Sequence, residues 1–338
     1  MSFFSWLRNS LENRARRARP RAPVPRCRPR LEALEGRCVP STLKVTSLLD
    51  SGPGSLRYEI AQAQSNDTIV FDFGNKKSNS TPHTITLTSG ELDINKNLTI
   101  QGPAAGLLTV TSTGWGHLDA SRIFEVDGAG TTATLSGMTI SNGIGVRFYN
   151  GYPFGGGDYY DGTGGGVLNL GTLTISGCTL SGNIAGGGLT FDGGGAVANF
   201  GRLTVSGCIL SNNSADADGG GIYNASGGTL TVSGCTLSGN SADYFGSGGG
   251  IYNEGTLTVS NSTLSGNFAA YQGGGIDNAF GTAAVSGCTL SGNSAGQGGG
   301  IYNAGTAGAL TVSNSMFSSN TPDNIYGPYT DGGGNPFS

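Results

Sequence analysis

Between residues 167 and 318 apolar and polar side chains alternate in short bursts, each closed by Gly or Asn. In one such burst Leu173, Ile175, Cys178 and Leu180 would point one way and Thr174 and Thr179 the other, with Gly177 allowing a corner between them. A period of two broken by tight turns predicts short β-strands rather than helix. The bursts recur. G-G-G-I-Y-N stands at 219–224, 248–253 and 298–303, and variants of it end at Asn169, Asn199 and Asn278. Each copy leads into a segment like T-L-T-V-S-G-C-T-L-S-G-N, which ends at Asn183, Asn213, Asn240, Asn267, Asn293 and Asn320. The steps between those asparagines are 30, 27, 27, 26 and 27 residues. A unit this short cannot bury its own apolar face and must stack on copies of itself. Three strands per unit then predict one rung of a single-stranded, right-handed parallel β-helix. Roughly eleven rungs at about 4.8 Å each would make a stack about 50 Å long.

The repeated residues acquire jobs in such a stack. The asparagines ending at 169, 199, 224, 253, 278 and 303, and those ending at 183, 213, 240, 267, 293 and 320, read as two structural ladders. Their amides can bond to the backbone and to one another, and Asn tolerates left-handed geometry. Cys178, Cys208, Cys235 and Cys288 share a slot with Met138, Ser262 and Ser315, which predicts a small buried position holding free thiols. Upstream, residues 54–64 (GSLRYEIAQAQ) predict a capping helix with Ser55 as its N-cap and Leu56, Ile60 and Ala63 on one face. Such a cap blocks the open strand edges of the first rung.

Composition sharpens this picture. Glycine supplies 62 of 338 residues, and only 12% are charged. That much glycine disfavours helix, and the 12 prolines with no triplet register exclude collagen. Charge is unevenly placed. Residues 1–40 carry ten Arg against three Glu, a net of +7, whereas residues 41–338 carry eight basic against 19 acidic side chains, a net of −11. The expected organisation is a disordered Arg-rich export or sorting head at 1–40, a β-helix at 41–320 and a polar tail without an anchor at 321–338. An acidic body of this kind is not expected to hold nucleic acid. No run approaches a transmembrane span, and the apolar stretch at residues 3–7 is shorter than a secretory core.

Residues 30–42 (RLEALEGRCVPST) resemble the short N-terminal motif of planctomycete surface and extracellular proteins. Residues 45–69 (VTSLLDSGPGSLRYEIAQAQSNDTI) resemble the opening segment of many bacterial right-handed β-helix proteins. The G-G-G-I-Y-N and T-L-S-G-N units are similar to polymorphic outer membrane protein repeats, with Leu usually where that family has Phe; Phe317 keeps the Phe. The resemblance implies a β-helix and export to the cell surface or beyond.

Chemistry concentrates on one edge, in the loops between each L-S-G-N and the next G-G-G. Those loops carry Asp158, Asp161, Asp192, Asp216, Asp218 and Asp243 beside Tyr149, Tyr152, Tyr159, Tyr160, Tyr244 and Tyr271, with Phe245 and Phe268 among them. Aromatic rings beside carboxylates can stack on sugar faces and bond to their hydroxyls, so this edge is the expected glycan-binding site of a structural or adhesive protein. The same pattern has a bland reading, in which the rings fold back over the stack and the acids keep it soluble. Catalysis finds little support. The repeats offer only Arg202 as a base, no His, and none of the polygalacturonase motifs. An Asp-based glycoside hydrolase on the same edge remains the alternative. Calcium held by Asp158/Asp161 or Asp216/Asp218 is a minor expectation. Outward T-x-T pairs such as Thr229/Thr231 resemble those of ice-binding solenoids, but Arg202, Ala284 and Ala309 interrupt the array. Tyr223, Tyr252 and Tyr302 predict either an exposed ring stripe broken by Asp277 or packing between rungs.

Overall fold

A computed structural model describes residues 39–74, 81–113, 121–145, 162–186, 193–305 and 309–337, and the backbone of a short antiparallel pair, Phe148–Tyr149 with Tyr152–Pro153. The Arg-rich head lies almost wholly outside the described residues. Residues from Pro40 onward form one unit, a right-handed parallel β-solenoid. Strands of one kind stack on strands of the same kind from the next coil. Sheet I has eleven strands of the Thr229–Ser233 type, sheet II nine of the Thr236–Ser238 type, and sheet III nine of the Ile222–Asn224 type. Four two-residue strands, Ile184–Ala185, Ser214–Ala215, Ser241–Ala242 and Phe268–Ala269, add a fourth sheet beyond the three expected.

Pairing is in register throughout, so each side chain meets its equivalent one coil away. Leu203, Leu230 and Leu257 align in sheet I, as do Val205, Val232 and Val259, and all are buried. Phe317 occupies the sheet II slot held elsewhere by Leu290 and is fully buried. The predicted helix, α1, spans Leu56–Gln62; the Ser55 hydroxyl accepts from the Tyr58 N–H at 3.2 Å, and Leu56 and Ile60 are buried. Lys96 donates to the carbonyls of Ile60 and Ala63, at 3.2 Å each, at the helix's C-terminal end.

Both asparagine ladders are present and buried. From Asn169 through Asn199, Asn224, Asn253 and Asn278 to Asn303, each amide donates to the next side-chain oxygen at 2.7 Å. From Asn183 through Asn213, Asn240, Asn267 and Asn293 to Asn320 the same link is 2.9 Å. One expectation needs correcting. The ladder asparagines are not the left-handed residues of the turn; that conformation falls on the residue before the second ladder, Gly182, Asn212, Gly239, Gly266, Gly292 and Ser319, with φ between 53° and 63°. The ladder side chain must reach the neighbouring coil, so the preceding residue takes the turn.

Cys178, Cys208, Cys235 and Cys288 are free and buried, as expected. The Cys178 N–H donates to Cys208 Sγ and the Cys208 N–H to Cys235 Sγ, both at 3.4 Å. Burial pushes the Cys178 and Cys288 thiols up. Ser262 performs the same role in the column, accepting from the Cys235 N–H at 3.1 Å and donating to the Ser260 carbonyl at 2.8 Å. Cys208→Ser is therefore expected to cost no more than about 1 kcal/mol, the worth of one ordinary hydrogen bond. Thermal unfolding checks this, and a loss several times larger would show that the sulfur packs in a way the hydroxyl cannot.

Residues 321–338 were expected to lack an anchor. In the structure Ile325–Tyr326 extends sheet III and Thr330–Asp331 extends sheet I. Phe337 then stacks on Phe317 with ring centroids 5.1 Å apart, and Asn335 accepts from the Ser315 N–H at 2.9 Å. The polar composition hid two residues, Asn335 and Phe337, that match the last coil.

Candidate functional site: an aromatic edge and an acidic column

The loop edge takes shape at residues 243–248 and 268–273. Gly246 donates to the Asp243 carbonyl at 2.7 Å, which closes a turn with Tyr244 and Phe245 at its tip. A Cβ on Gly246 would meet the Ala217 carbonyl oxygen at 2.1 Å, so glycine lets the turn press onto the coil before it. Tyr271 joins from the coil after, its N–H donating to the Gly246 carbonyl at 2.9 Å. The rings stand in solvent: Tyr244 is 77% exposed, Phe245 91%, Tyr271 56% and Phe268 45%. Tyr244 has φ 54°, a left-handed conformation that costs a non-glycine residue roughly 1 kcal/mol or more. Asp243 is fixed beside this tip by the hydroxyls of Ser214, at 3.0 Å, and Ser241, at 3.3 Å. Asp216 is half-buried one coil earlier.

Sheet III carries a second constellation on its outward face. Its register aligns Leu168, Ala198, Tyr223, Tyr252, Asp277, Tyr302 and Tyr326 in one column. Tyr223 and Tyr252 stack at 5.5 Å and 7°, and Tyr302 and Tyr326 at 5.4 Å and 7°. Packing between rungs thus accounts for these tyrosines, and Asp277 separates the two pairs. Both phenols of the first pair donate to Glu254, Tyr223 at 3.2 Å and Tyr252 at 3.4 Å. Asp277 is only 1% exposed, and its Oδ1 has no hydrogen-bond partner among the described residues. Burial, and then the Asp218 charge, push its carboxyl up to about 8. Asp218 is itself pushed up to about 6, by burial first and Glu254 after. Burial, with Asp218 and Glu254 adding to it, also raises the Tyr252 phenol. Perturbed groups gathered in one place mark functional candidates.

The pattern described as a right handed beta helix region matches residues 96–337, well over half of the chain. The chain belongs to this right-handed β-helix family. No curated protein sequence matches it. Among solved structures it is similar to the ORF18 protein of Geobacillus virus E2, with 15% identity and a TM-score of 0.47. That alignment covers 88% of this chain and 59% of the viral one, so the chain spans about three fifths of that relative. It is also similar to the A-modules of two mannuronan C-5 epimerases of Azotobacter vinelandii. For AlgE6 the identity is 11%, the TM-score 0.34 and the coverage 88% of this chain and 99% of that one. For AlgE4 the corresponding values are 12%, 0.33, 80% and 88%.

On this β-helix the expected edge residues divide. Asp216, Asp218, Asp243, Tyr244 and Tyr271 gather on adjoining coils, with Phe245 and Phe268. Tyr149 and Tyr152 are described in backbone only, and Asp158, Tyr159, Tyr160, Asp161 and Asp192 lie outside the described residues. Among the described residues no group of three or more His, Cys, Asp or Glu is arranged to hold a metal ion, and no helix is long and apolar enough to cross a membrane. Glu254 and Asp277 escaped sequence reasoning. Asp277 registered only as the break in a tyrosine series, and that break was the available signal.

Proposed function

We propose that this β-helix is a non-enzymatic extracellular or cell-surface protein with a structural or adhesive role, and that it binds glycan along the edge formed by Tyr244, Phe245, Phe268 and Tyr271. The observation that carries the reading is the exposure of these four rings on neighbouring coils, with Tyr244 held in a left-handed conformation that only a fixed turn sustains. Exposed aromatic surface is costly in water and marks a contact site. Pyranose rings offer apolar faces for stacking, and the Asp243 carboxylate, next to Tyr244 in the chain, lies close by to accept from sugar hydroxyls. The planctomycete-type head motif and the resemblance to polymorphic outer membrane protein repeats support an exported location. A second reading, hydrolysis by an acid on this edge, draws on the carboxyl of Asp218, pushed up to about 6 by burial and then by the Glu254 charge.

The test is a glycan-array screen of the full-length protein, followed by the variant Tyr244→Ala/Tyr271→Ala. Binding to at least one polysaccharide class is expected, and the double variant should lose it about tenfold or more, as removal of two stacking rings worth about 1 kcal/mol each implies. Its circular dichroism should stay unchanged. Binding indifferent to both substitutions would move the site elsewhere. Release of oligosaccharides, abolished by Asp218→Asn, would favour the hydrolase.

A further inference from the structure

We propose that the glycan on the Tyr244, Phe245, Phe268 and Tyr271 edge carries free amines, as a polymer of unacetylated hexosamine does. This rests on the saccharide reading of the edge and adds the charge of the ligand. Asp243 is the group that would hold an ammonium. The hydroxyls of Ser214 and Ser241 both donate to its Oδ2, at 3.0 Å and 3.3 Å, which fixes the carboxylate and leaves Oδ1 to a ligand. Asp243 is half-buried and directly precedes Tyr244, whose ring is exposed. Asp216 adds a second carboxyl residue to the edge. The strands Ser214–Ala215 and Ser241–Ala242 pair in register. The next residues, Asp216 and Asp243, each donate an N–H to the coil before, to the Ala185 and Ala215 carbonyls at 2.9 Å. The two aspartates therefore occupy one column on adjoining coils, about 4.8 Å apart along the backbone.

Basic side chains are scarce on these coils. After residue 147 the only one is Arg202, which is exposed in sheet I, whereas Asp243 follows a strand of the fourth sheet. A uronate or sulfate on this edge would meet Asp243 with no counter-charge beside it, and like charges repel. A neutral sugar stacks on the rings and uses the carboxylate only to accept from hydroxyls. A protonated amine does more. It donates a charge-assisted hydrogen bond to Asp243, and the neighbouring ring faces attract its charge. Residues 41–338 carry a net −11, so the field of the whole body draws a cationic polymer toward it. That general attraction has no address. The turn closed by Gly246 supplies one by holding Tyr244 and Phe245 beside Asp243.

The test is calorimetric titration of the full-length protein, in mildly acidic low-salt buffer, with a glucosamine oligomer, its fully N-acetylated counterpart and an oligouronate of equal length. The glucosamine oligomer is expected to bind about tenfold more tightly than the acetylated one, the worth of one hydrogen bond to a charged group, and the oligouronate not at all. Asp243→Asn should remove that preference and leave the acetylated affinity unchanged. Asp127→Asn, at an exposed acid just after the strand Phe124–Val126, controls for general attraction and should leave the preference intact. Equal affinities for the two hexosamines, or tighter binding of the uronate, overturns the amine assignment. So does a preference that survives Asp243→Asn, or one that Asp127→Asn removes as well. The Tyr244→Ala/Tyr271→Ala variant keeps that failure apart from failure of the saccharide reading. If the two hexosamines bind alike and this variant weakens both, the rings hold sugar and only the amine assignment falls. If neither hexosamine binds, the amine assignment falls, and an empty glycan array removes the saccharide reading with it.

Discussion

Asn240→Leu is expected to destabilise the β-helix by roughly 4 kcal/mol or more, since each buried polar group left unpaired costs about 1–3 kcal/mol. Asn240 is fully buried and its side chain makes four hydrogen bonds. Its oxygen accepts from the backbone N–H of Asn213 at 3.1 Å and from the Asn213 amide at 2.9 Å. Its amide donates to the Leu210 carbonyl at 3.0 Å and to Asn267 at 2.9 Å. Leucine has nearly the same size and replaces none of these bonds. The orphaned groups lie on the coils before and after, so the damage spreads beyond one rung. Thr236→Ala, on the outward face of the same coil, is the control and should stay within about 0.5 kcal/mol. Thermal unfolding measures both. Equal midpoints for Asn240→Leu and the unaltered protein would mean that the ladder follows from the stack and does not hold it.

Gly249→Ala is expected to cost about 3 kcal/mol or more, the upper range for overpacking a rigid core. The middle glycine of G-G-G faces the next coil. A Cβ on Gly249 would lie 2.2 Å from the Phe268 carbonyl oxygen and 2.6 Å from that of Gly274, both backbone atoms that cannot step aside. Gly195, Gly220, Gly274 and Gly299 meet equivalent obstacles, so the column exists because two coils touch there without room for a methyl. Gly266→Ala makes the contrast. Nothing lies within 4 Å of its Cβ, but its φ is 60°, so only the left-handed penalty of about 1–2 kcal/mol applies. A Gly249→Ala variant no less stable than Gly266→Ala would contradict the close approach of the coils.

Which features were legible in the sequence follows from this physics. A period near 27 residues, with apolar residues at fixed offsets, leaves stacking as the one way to bury them, so the sheets, ladders, thiol column and capping helix could all be read. The left-handed slots were harder. Gly and Asn both suit them, and Asn also builds the ladders, so composition at the turn could not separate the two roles. The fourth sheet has strands of two residues, too short for a period to register. Asp277 illustrates the wider limit. Its burial and missing partner depend on Tyr252, Tyr302 and Ser247, which come from other coils, and no local window contains them together. The place of Tyr244 and Tyr271 in loops fitted both exposed rings and rings folded back over the stack, and only the turn closed by Gly246 decides for exposure.

The most direct measurement is calorimetric titration of the full-length protein with the oligosaccharide that binds best on the array, with chromatography of the mixture afterwards. The β-helix is expected to bind with a heat that Tyr244→Ala/Tyr271→Ala removes, and to leave the oligosaccharide intact. Undiminished heat in the double variant, or the appearance of shorter chains, would contradict a non-enzymatic glycan edge built on these rings.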